Sequence, residues 1–299
     1  MRFFVTGATG VLGRRLIPRL IGSGHEVTAL VRTDAKAGEV SATGAHPVIG
    51  SLFDVDAMTK AVAGHDGICN LATNIPTGAA AGTRRGWRTN DHIRREGSTV
   101  MVEAALANGV GRFVQESITF PYADQGNEWI DETSPIEHHW GTETVATAEA
   151  NAARLTEAGG NGVVLRMAMF VAADSAHVGS FRTAIRRGFF PIPGPADGYF
   201  SMLDADDAAA AVLAALDAPA GVYNVAEDEP ASRADLATAM AVSVGRTKLR
   251  RLPDRVARLG GPPARGMMRS MRISNRHLRD TTNWRPAVGS VARHWEDYT

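Results

Sequence analysis

The chain has 299 residues, with 32 Lys and Arg balanced by 32 Asp and Glu, and a single cysteine. This length suits one large α/β domain, or a nucleotide-binding domain with a smaller cap. The balanced charge gives no bulk electrostatic reason to expect a nucleic-acid partner or an anionic membrane. Cys69 alone excludes an intramolecular disulfide and a cysteine-only zinc site. Glycines interrupt the apolar N-terminus too early for a signal peptide, and no apolar run approaches the ~18 residues of a transmembrane helix, so we expect a cytoplasmic protein.

Short apolar runs alternate with helical patterns through the first 170 residues. The runs RFFVTG, HEVTALVR, AHPVIG, GICNLAT, GRFVQES and GVVLRMAMF are typical of buried parallel strands. Between them, segments such as VLGRRLIPRLIGSG and GSTVMVEAALANGV have helical spacing and end in Gly or near it. This alternation predicts an α/β fold with a doubly wound parallel sheet.

The pattern is less regular after residue 170. RRGFFPIPGPADGYFSM, rich in Pro, Gly and aromatic residues, predicts a loop over a ligand, whereas DADDAAAAVLAALDAP predicts a helix and GVYNVA a further strand. We therefore predict a Rossmann domain over residues 1–170, completed by about 203–226. A smaller substrate-binding cap would comprise about 171–202 and 227–299.

Three glycines lie between the first predicted strand and the first predicted helix. Gly7 permits a tight turn, Gly10 lets the backbone approach a pyrophosphate, and Gly13 lets the helix pack on the sheet. The helix N-terminus then faces the anion. Because a second strand follows about twenty residues on, this context predicts a dinucleotide site where the spacing alone would be a weak signal.

The end of the second predicted strand indicates which dinucleotide binds. An acidic side chain there would bond a free 2'-hydroxyl, whereas an arginine accommodates a 2'-phosphate. The first polar residue is Arg32, with Asp34 and Lys36 after it. Since guanidinium and phosphate form strong charge-assisted pairs, we predict NADPH/NADP as the cofactor. Lys36 could equally be a solvated loop charge.

The segments TGATGVLG, GSLFD, NLAT, GVGRFVQESI, WIDETSP, VVLRMAMF, DADDAAAAV, GVYNVAEDEP and NWRP fall in a recognisable order. Over essentially the whole chain they resemble the extended short-chain dehydrogenases/reductases, relatives of nucleotide-sugar epimerases and dehydratases. The resemblance implies cofactor contacts at the residues of the glycine turn, after the second to fourth strands, and beside the sixth: Gly7, Thr9, Gly10, Val11, Leu12, Gly13, Arg32, Leu52, Leu71, Ala72, Thr73, Met167 and Met169.

The catalytic Tyr-x-x-x-Lys pair of that family is missing. Aligning on Glu149, which resembles the glutamate after the pair, puts Gly141 and Val145 where tyrosine and lysine belong. A shift of the alignment by one residue puts Trp140 and Thr144 at these two positions instead. The chain therefore resembles the atypical, tyrosine-less branch of the family, which includes ketoreductases of actinobacterial antibiotic pathways.

Other side chains could take part near the nicotinamide. Ser117 and Thr119 follow the fifth strand and are possible carbonyl polarisers, although capping of a turn is an equal alternative. Tyr122, Phe190 and Tyr199 are predicted substrate contacts, with a structural role open for Tyr122.

Two adjacent histidines, His138 and His139, could titrate near neutrality or simply start a helix at the surface. They lack a third ligand at a suitable spacing, so we predict no metal site.

These features favour an NADPH-dependent ketoreductase acting on a large, mostly apolar, aromatic polyketide-like small molecule. Such an enzyme would rely on proximity and on stabilisation from the substrate itself. A nucleotide-sugar epimerase or dehydratase is an alternative, but it needs a base near the nicotinamide. A non-catalytic NADP-binding regulator is the third possibility. The sequence does not locate a subunit interface.

Overall fold

The computed structural model describes residues 1–299 apart from the side chain of residue 79. The strands are β1 (Arg2–Thr6), β2 (Glu26–Val31), β3 (His46–Ile49), β4 (Gly67–Asn70), β5 (Arg112–Ile118), β6 (Asn161–Met167), β7 (Met169–Val171), β8 (Tyr199–Phe200), β9 (Met202–Asp204), β10 (Gly221–Val225) and β11 (Ala231–Ser232). Seven of them form one parallel sheet in the order β10-β6-β5-β4-β1-β2-β3. The predicted parallel sheet is therefore confirmed.

The helices are α1 (Gly13–Gly22), α2 (Asp34–Ser41), α3 (Val55–Val62), α4 (Arg84–His92), α5 (Ser98–Ala107), α6 (Glu143–Glu157), α7 (Ala176–Arg186), α8 (Ala205–Ala215), α9 (Arg233–Val242), α10 (Asp254–Ala257), α11 (Gly261–Met268) and α12 (Arg276–Thr281). A π-helical turn, Ile93–Gly97, joins α4 to α5, and a 3-10 turn, Gly78–Gly82, precedes α4. No helix in the described part of the chain has the length and apolar character needed to cross a bilayer.

The sheet has apolar layers on both faces because successive strand residues point to opposite sides. Phe3 packs with Leu16 of α1 and Val212 of α8 on one face. Phe4, the next residue, packs with Met58 of α3 and other buried side chains on the opposite face. This arrangement is the doubly wound Rossmann fold expected from the alternating pattern.

The sixth predicted strand is shorter than its apolar run. β6 ends at Met167, and the N–H of Ala168 donates to the carbonyl of Val225 at the end of β10. Residues Met169–Val171 then leave the main sheet and pair with β9. Apart from Arg166 the run is apolar on both sides of the break, so composition alone could not show where the first strand ends.

A third apolar cluster lies outside the sheet layers. It gathers side chains from α7, from the loop after it, from α9 and from the C-terminus, including Phe190, Phe200, Met240 and Trp295. Phe190 is 5% exposed and Arg251 lies over its ring, so this predicted substrate contact is a core residue here. The division into a Rossmann domain and a cap stays a prediction.

Candidate active site

The glycine turn, residues 7–13, connects β1 to α1 through very close backbone contacts. Gly7 has φ +68°, and a Cβ there would lie 2.5 Å from the carbonyl oxygen of Leu71. A Cβ on Gly13 would collide with the carbonyl oxygen of Gly7 and the backbone of Ala8. Gly10 is exposed, and its added Cβ would meet only the Gly7 carbonyl at 3.2 Å. The turn therefore needs Gly7 and Gly13 for its own packing and leaves Gly10 open to a ligand.

The start of α1 presents unpaired donors beside Gly10. Within the described residues, the N–H groups of Val11, Leu12 and Gly13 donate no hydrogen bond, and Leu12 at the helix start makes no side-chain cap. Free N–H groups and the helix dipole together attract an anion. The residues present thus fit the pyrophosphate of a dinucleotide.

A buried hydroxyl fixes the neighbouring backbone at the end of β4. Thr6 Oγ1 accepts from the N–H groups of Leu71 and Ala72 at 3.1 and 3.2 Å and donates to Asn70 Oδ1 at 2.6 Å. This network holds the predicted cofactor-contacting segment, which continues to the exposed Thr73, against Gly7. Thr6 was missed in the sequence because a strand threonine has many ordinary roles.

Arg32 follows β2 and is exposed, with no ion-pair partner among the described residues. Lys36 differs, because its ammonium group pairs with Glu39 at 2.8 Å. Leu52 lies against the helical segment between α4 and α5, where a Cβ on Gly97 would come within 2.6 Å of it. Of the two cations, Arg32 is therefore the one free to bind a phosphate.

The region of the missing catalytic pair is tightly packed. Val145 is 1% exposed, and Gly141 is buried between His139 and Trp87. A Cβ on Gly141 would lie 3.1 Å from the His139 ring and 3.5 Å from the Trp87 indole. On its other side, the imidazole faces Gly266 of α11, where a Cβ would lie 2.7 Å from Nε2. The imidazole thus occupies a space that two glycines leave.

His139 is held as a neutral donor. The N–H of Gly141 donates to Nδ1 at 3.1 Å, which leaves the ring proton on Nε2. Burial, with smaller contributions from the charges of Arg269 and His138, lowers the pKa of His139 to about 4. A neutral imidazole can donate a hydrogen bond to an oxyanion, but it carries no spare proton at neutral pH. His138 is exposed beside it.

Ser117 is committed to a buried network. Its hydroxyl donates to Glu149 at 2.6 Å, and Glu149 forms a bidentate pair with Arg166. Arg166 also donates to the hydroxyl of Tyr122, which donates to Asn224. Ser117 and Tyr122 are both fully buried, and burial raises the pKa of Tyr122 to about 12. Neither side chain presents a hydroxyl to a ligand in this structure.

A cavity of about 350 Å³ lies beside this network, between α6 and the edge strand β10. Its lining includes Val145, Glu149, Arg166 and Val222. All the polar groups of the Glu149–Arg166 pair that face it are already bonded to one another or to Ser117 and Tyr122. The cavity therefore offers a ligand mainly apolar contacts.

The remaining predicted residues lie in several settings. Thr119 is 3% exposed, and its hydroxyl makes no hydrogen bond among the described residues, so it is the freer of the two candidate polarisers. Met167 is buried at the end of β6 and Met169 is half-buried. Tyr199 is half-buried with the Arg272 guanidinium over its ring. The described residues contain no group of three or more His, Cys, Asp or Glu that could hold a metal ion.

The fold and the glycine turn together define a dinucleotide-binding protein. A family model described as NAD(P)H-binding matches residues 7–187, and the chain belongs to that family. Among curated proteins, a 3-diazoavenalumate denitrifying reductase of a Streptomyces species is 32% identical over 99% of this chain and 98% of that protein. A 4-hydroxy-2-methyl-3-oxo-4-farnesyl-3,4-dihydroquinoline-1-oxide ketoreductase of Stigmatella aurantiaca is 42% identical over 72 residues, 24% of this chain and 22% of that protein.

Solved structures confirm the fold. A human epimerase family protein with NADPH covers 100% of this chain and 99% of its own, at 20% identity and a TM-score of 0.81. A UDP-glucose 4-epimerase from Thermotoga maritima covers 100% and 97%, at 20% identity and a TM-score of 0.80. The architecture is thus the Rossmann-like fold of these solved structures, and the curated relatives of the chain include reductases.

Proposed function

We propose that the chain is an NADPH-dependent reductase that transfers hydride to a ketone of a large, mostly apolar, aromatic polyketide-like molecule. One observation carries the proposal: the dinucleotide turn is intact, while alignment on Glu149 puts Gly141 and Val145, or Trp140 and Thr144 after a shift of one residue, where the resembled family has its acid and its lysine. A site that keeps hydride chemistry but lacks an enzymic acid suits an acceptor that stabilises its own charge. The resemblance of the chain to angucyclinone ketoreductases, such as that of simocyclinone biosynthesis, supports a role in an antibiotic pathway.

The chain's own residues would bind and orient the reactants. The N–H groups of Val11, Leu12 and Gly13 would hold the cofactor's pyrophosphate, and Arg32 would hold its 2'-phosphate. When bound, NADPH supplies the hydride. The reduced carbonyl becomes an alkoxide, which a neighbouring phenol of the substrate can stabilise by a hydrogen bond. Thr119 can add a donor, and water can deliver the final proton.

Proximity alone can make such an enzyme useful. General acid catalysis typically contributes about 10²–10⁴-fold, whereas correct orientation of two reactants can contribute more. The loss of the tyrosine therefore slows the reaction without abolishing it. A nucleotide-sugar epimerase needs a base that removes a hydroxyl proton, and neither Gly141 nor Val145 can serve as one.

The Streptomyces relative favours a second candidate reaction, reductive loss of a diazo group. A diazonium carbon that accepts hydride gains a C–H bond while its C–N bond breaks and dinitrogen leaves with the bonding electrons. No negative charge develops on oxygen, so no acid is required. The same tyrosine-less site could therefore serve this chemistry.

The test measures NADPH oxidation with three acceptors. These are an aromatic ketone flanked by a phenol, the methyl ether of that phenol, and an aryl diazonium salt. The proposal expects turnover of the phenolic ketone and much slower turnover of its ether. Turnover of the diazonium salt alone would select the second reaction, and NADP binding without any turnover would identify a regulator.

A further inference from the structure

Two indoles lie close to Gly141, and a guanidinium lies over one of them. Trp87 of α4 packs against Gly141, and its Nε1 donates to the carbonyl of Ala81 at 2.8 Å. Trp140, next to Gly141, is half-buried, and the Arg84 guanidinium lies 5.5 Å from its ring centroid. The first turn of α4 thus places a cation over an indole from the loop that precedes α6.

Arg84 is not neutralised by a neighbour. It is exposed and has no ion-pair partner among the described residues, and the same is true of Arg88 one turn further along α4. Arg94 and Arg269 differ from Arg84, because they form ion pairs with Glu116 and Glu137. A guanidinium that lies over an indole can still donate hydrogen bonds from its outer N–H groups.

This arrangement matches a planar anion better than a neutral ligand. A carboxylate accepts two parallel hydrogen bonds from a guanidinium edge, and the adjoining indole surface offers an apolar face to an aromatic ring. The free charges on this face of α4 would also attract an anion to the site. A cation–π contact with a purely structural role would use only the face of the guanidinium and would not need its free N–H donors.

Resting on the proposed function, we propose that Arg84 and Trp140 form a subsite for an aromatic carboxylate, so that the natural substrate is an aromatic acid anion. The carboxylate pairs with the Arg84 guanidinium, and the aromatic body lies along the accessible part of the half-buried Trp140 indole. Arg84 then determines specificity and takes no part in hydride transfer.

The test measures binding to the NADP-loaded protein by calorimetry, with naphthoate and its neutral analogue naphthamide as probes. We expect naphthoate to bind at least about tenfold more tightly, the equivalent of one charge-assisted hydrogen bond. Arg84→Ala should weaken the binding of naphthoate by a similar factor and the binding of naphthamide by less than about twofold. Arg84→Lys should retain part of the preference, since it keeps the charge and loses the fork.

Arg85→Ala is the matched control, because Arg85 is an exposed cation on the same turn and Arg84 is the arginine that lies over the Trp140 ring among the described residues. Equal affinity for the two probes, equal losses in the Arg84→Ala and Arg85→Ala variants, or no binding of naphthoate would each overturn the proposal. NADP affinity and NADPH oxidation are measured separately with a neutral ketone. If the protein oxidises NADPH but binds naphthoate no better than naphthamide, the proposed carboxylate subsite is wrong. If it binds naphthoate but never oxidises NADPH, the proposed reductase function is wrong.

Discussion

The backbone N–H of Gly141 donates to Nδ1 of His139 across 3.1 Å. Burial lowers the pKa of this histidine to about 4, compared with about 6.5 when unfolded. The unfolded chain therefore binds a proton between these values that the folded chain excludes. Stability from this group is present above about pH 6.5 and is lost as the pH falls toward 4.

A His139→Gln variant should accordingly lose less stability than the natural protein between pH 7 and pH 5. Urea unfolding at both pH values gives the two free-energy differences. His138→Gln serves as the control and should change the pH dependence less than His139→Gln, because the His138 charge contributes less than burial to the lowered pKa of His139. An identical pH dependence in the His139→Gln variant would contradict the buried neutral imidazole.

Substitution should separate the structural role of Gly7 from the ligand-binding role of Gly10. Gly7→Ala forces a side chain into a positive φ and against the Leu71 carbonyl, so it should lower the free energy of unfolding by about 1–3 kcal/mol. Gly10→Ala meets only a 3.2 Å contact and should keep its stability while weakening NADPH binding. Thermal unfolding and cofactor titration check the pair, and a stable Gly7→Ala protein would be the contrary result.

Arg32 should decide between the two cofactors. Replacing it with alanine removes a charge-assisted bond to the 2'-phosphate and should cost about 1.5–3 kcal/mol of NADPH affinity. NADH affinity should stay nearly unchanged. Lys36→Ala is the control, because Lys36 is already paired with Glu39. Equal losses for NADPH and NADH in Arg32→Ala would contradict the assignment.

The hydroxyl groups near the end of β5 should each matter only modestly. Thr119→Ala, Ser117→Ala and Tyr122→Phe should lower the turnover rate by less than about a hundredfold, short of the loss of an essential acid. Thr119→Ala should have the largest effect on rate, since the other two hydroxyls are bonded within the core. Loss of all turnover in one variant that still binds both ligands would reveal a conventional acid.

The ion pair between Arg94 and Glu116 is buried, with side-chain exposures of 2% and 4%. Glu116→Ala leaves an unpaired guanidinium in the core and should destabilise the protein by about 3–5 kcal/mol. The pair Arg276–Asp280 is exposed, so Asp280→Ala should cost less than about 1 kcal/mol. Chemical denaturation measures both, and similar costs would show that Arg94 finds another partner or water.

The sequence by itself determined the sheet, the dinucleotide turn and the absence of the catalytic pair. These features are local: strands and helices show in the periodicity of apolar residues, and Gly7, Gly10 and Gly13 sit within seven residues of one another. Absence of a tyrosine at Gly141 or a lysine at Val145 is likewise read directly from the chain. The exposure of Arg32 likewise follows from its position directly after a strand.

Only the tertiary structure decided which polar groups are free. Ser117 and Thr119 look equivalent in the sequence, but the Ser117 hydroxyl donates to Glu149 from α6, whereas the Thr119 hydroxyl has no hydrogen-bond partner among the described residues. The packing of the His139 imidazole depends on Gly266, which is distant from it in the sequence. Such contacts join residues distant in sequence through the packing of helices on the sheet, and no local pattern encodes which buried groups will meet.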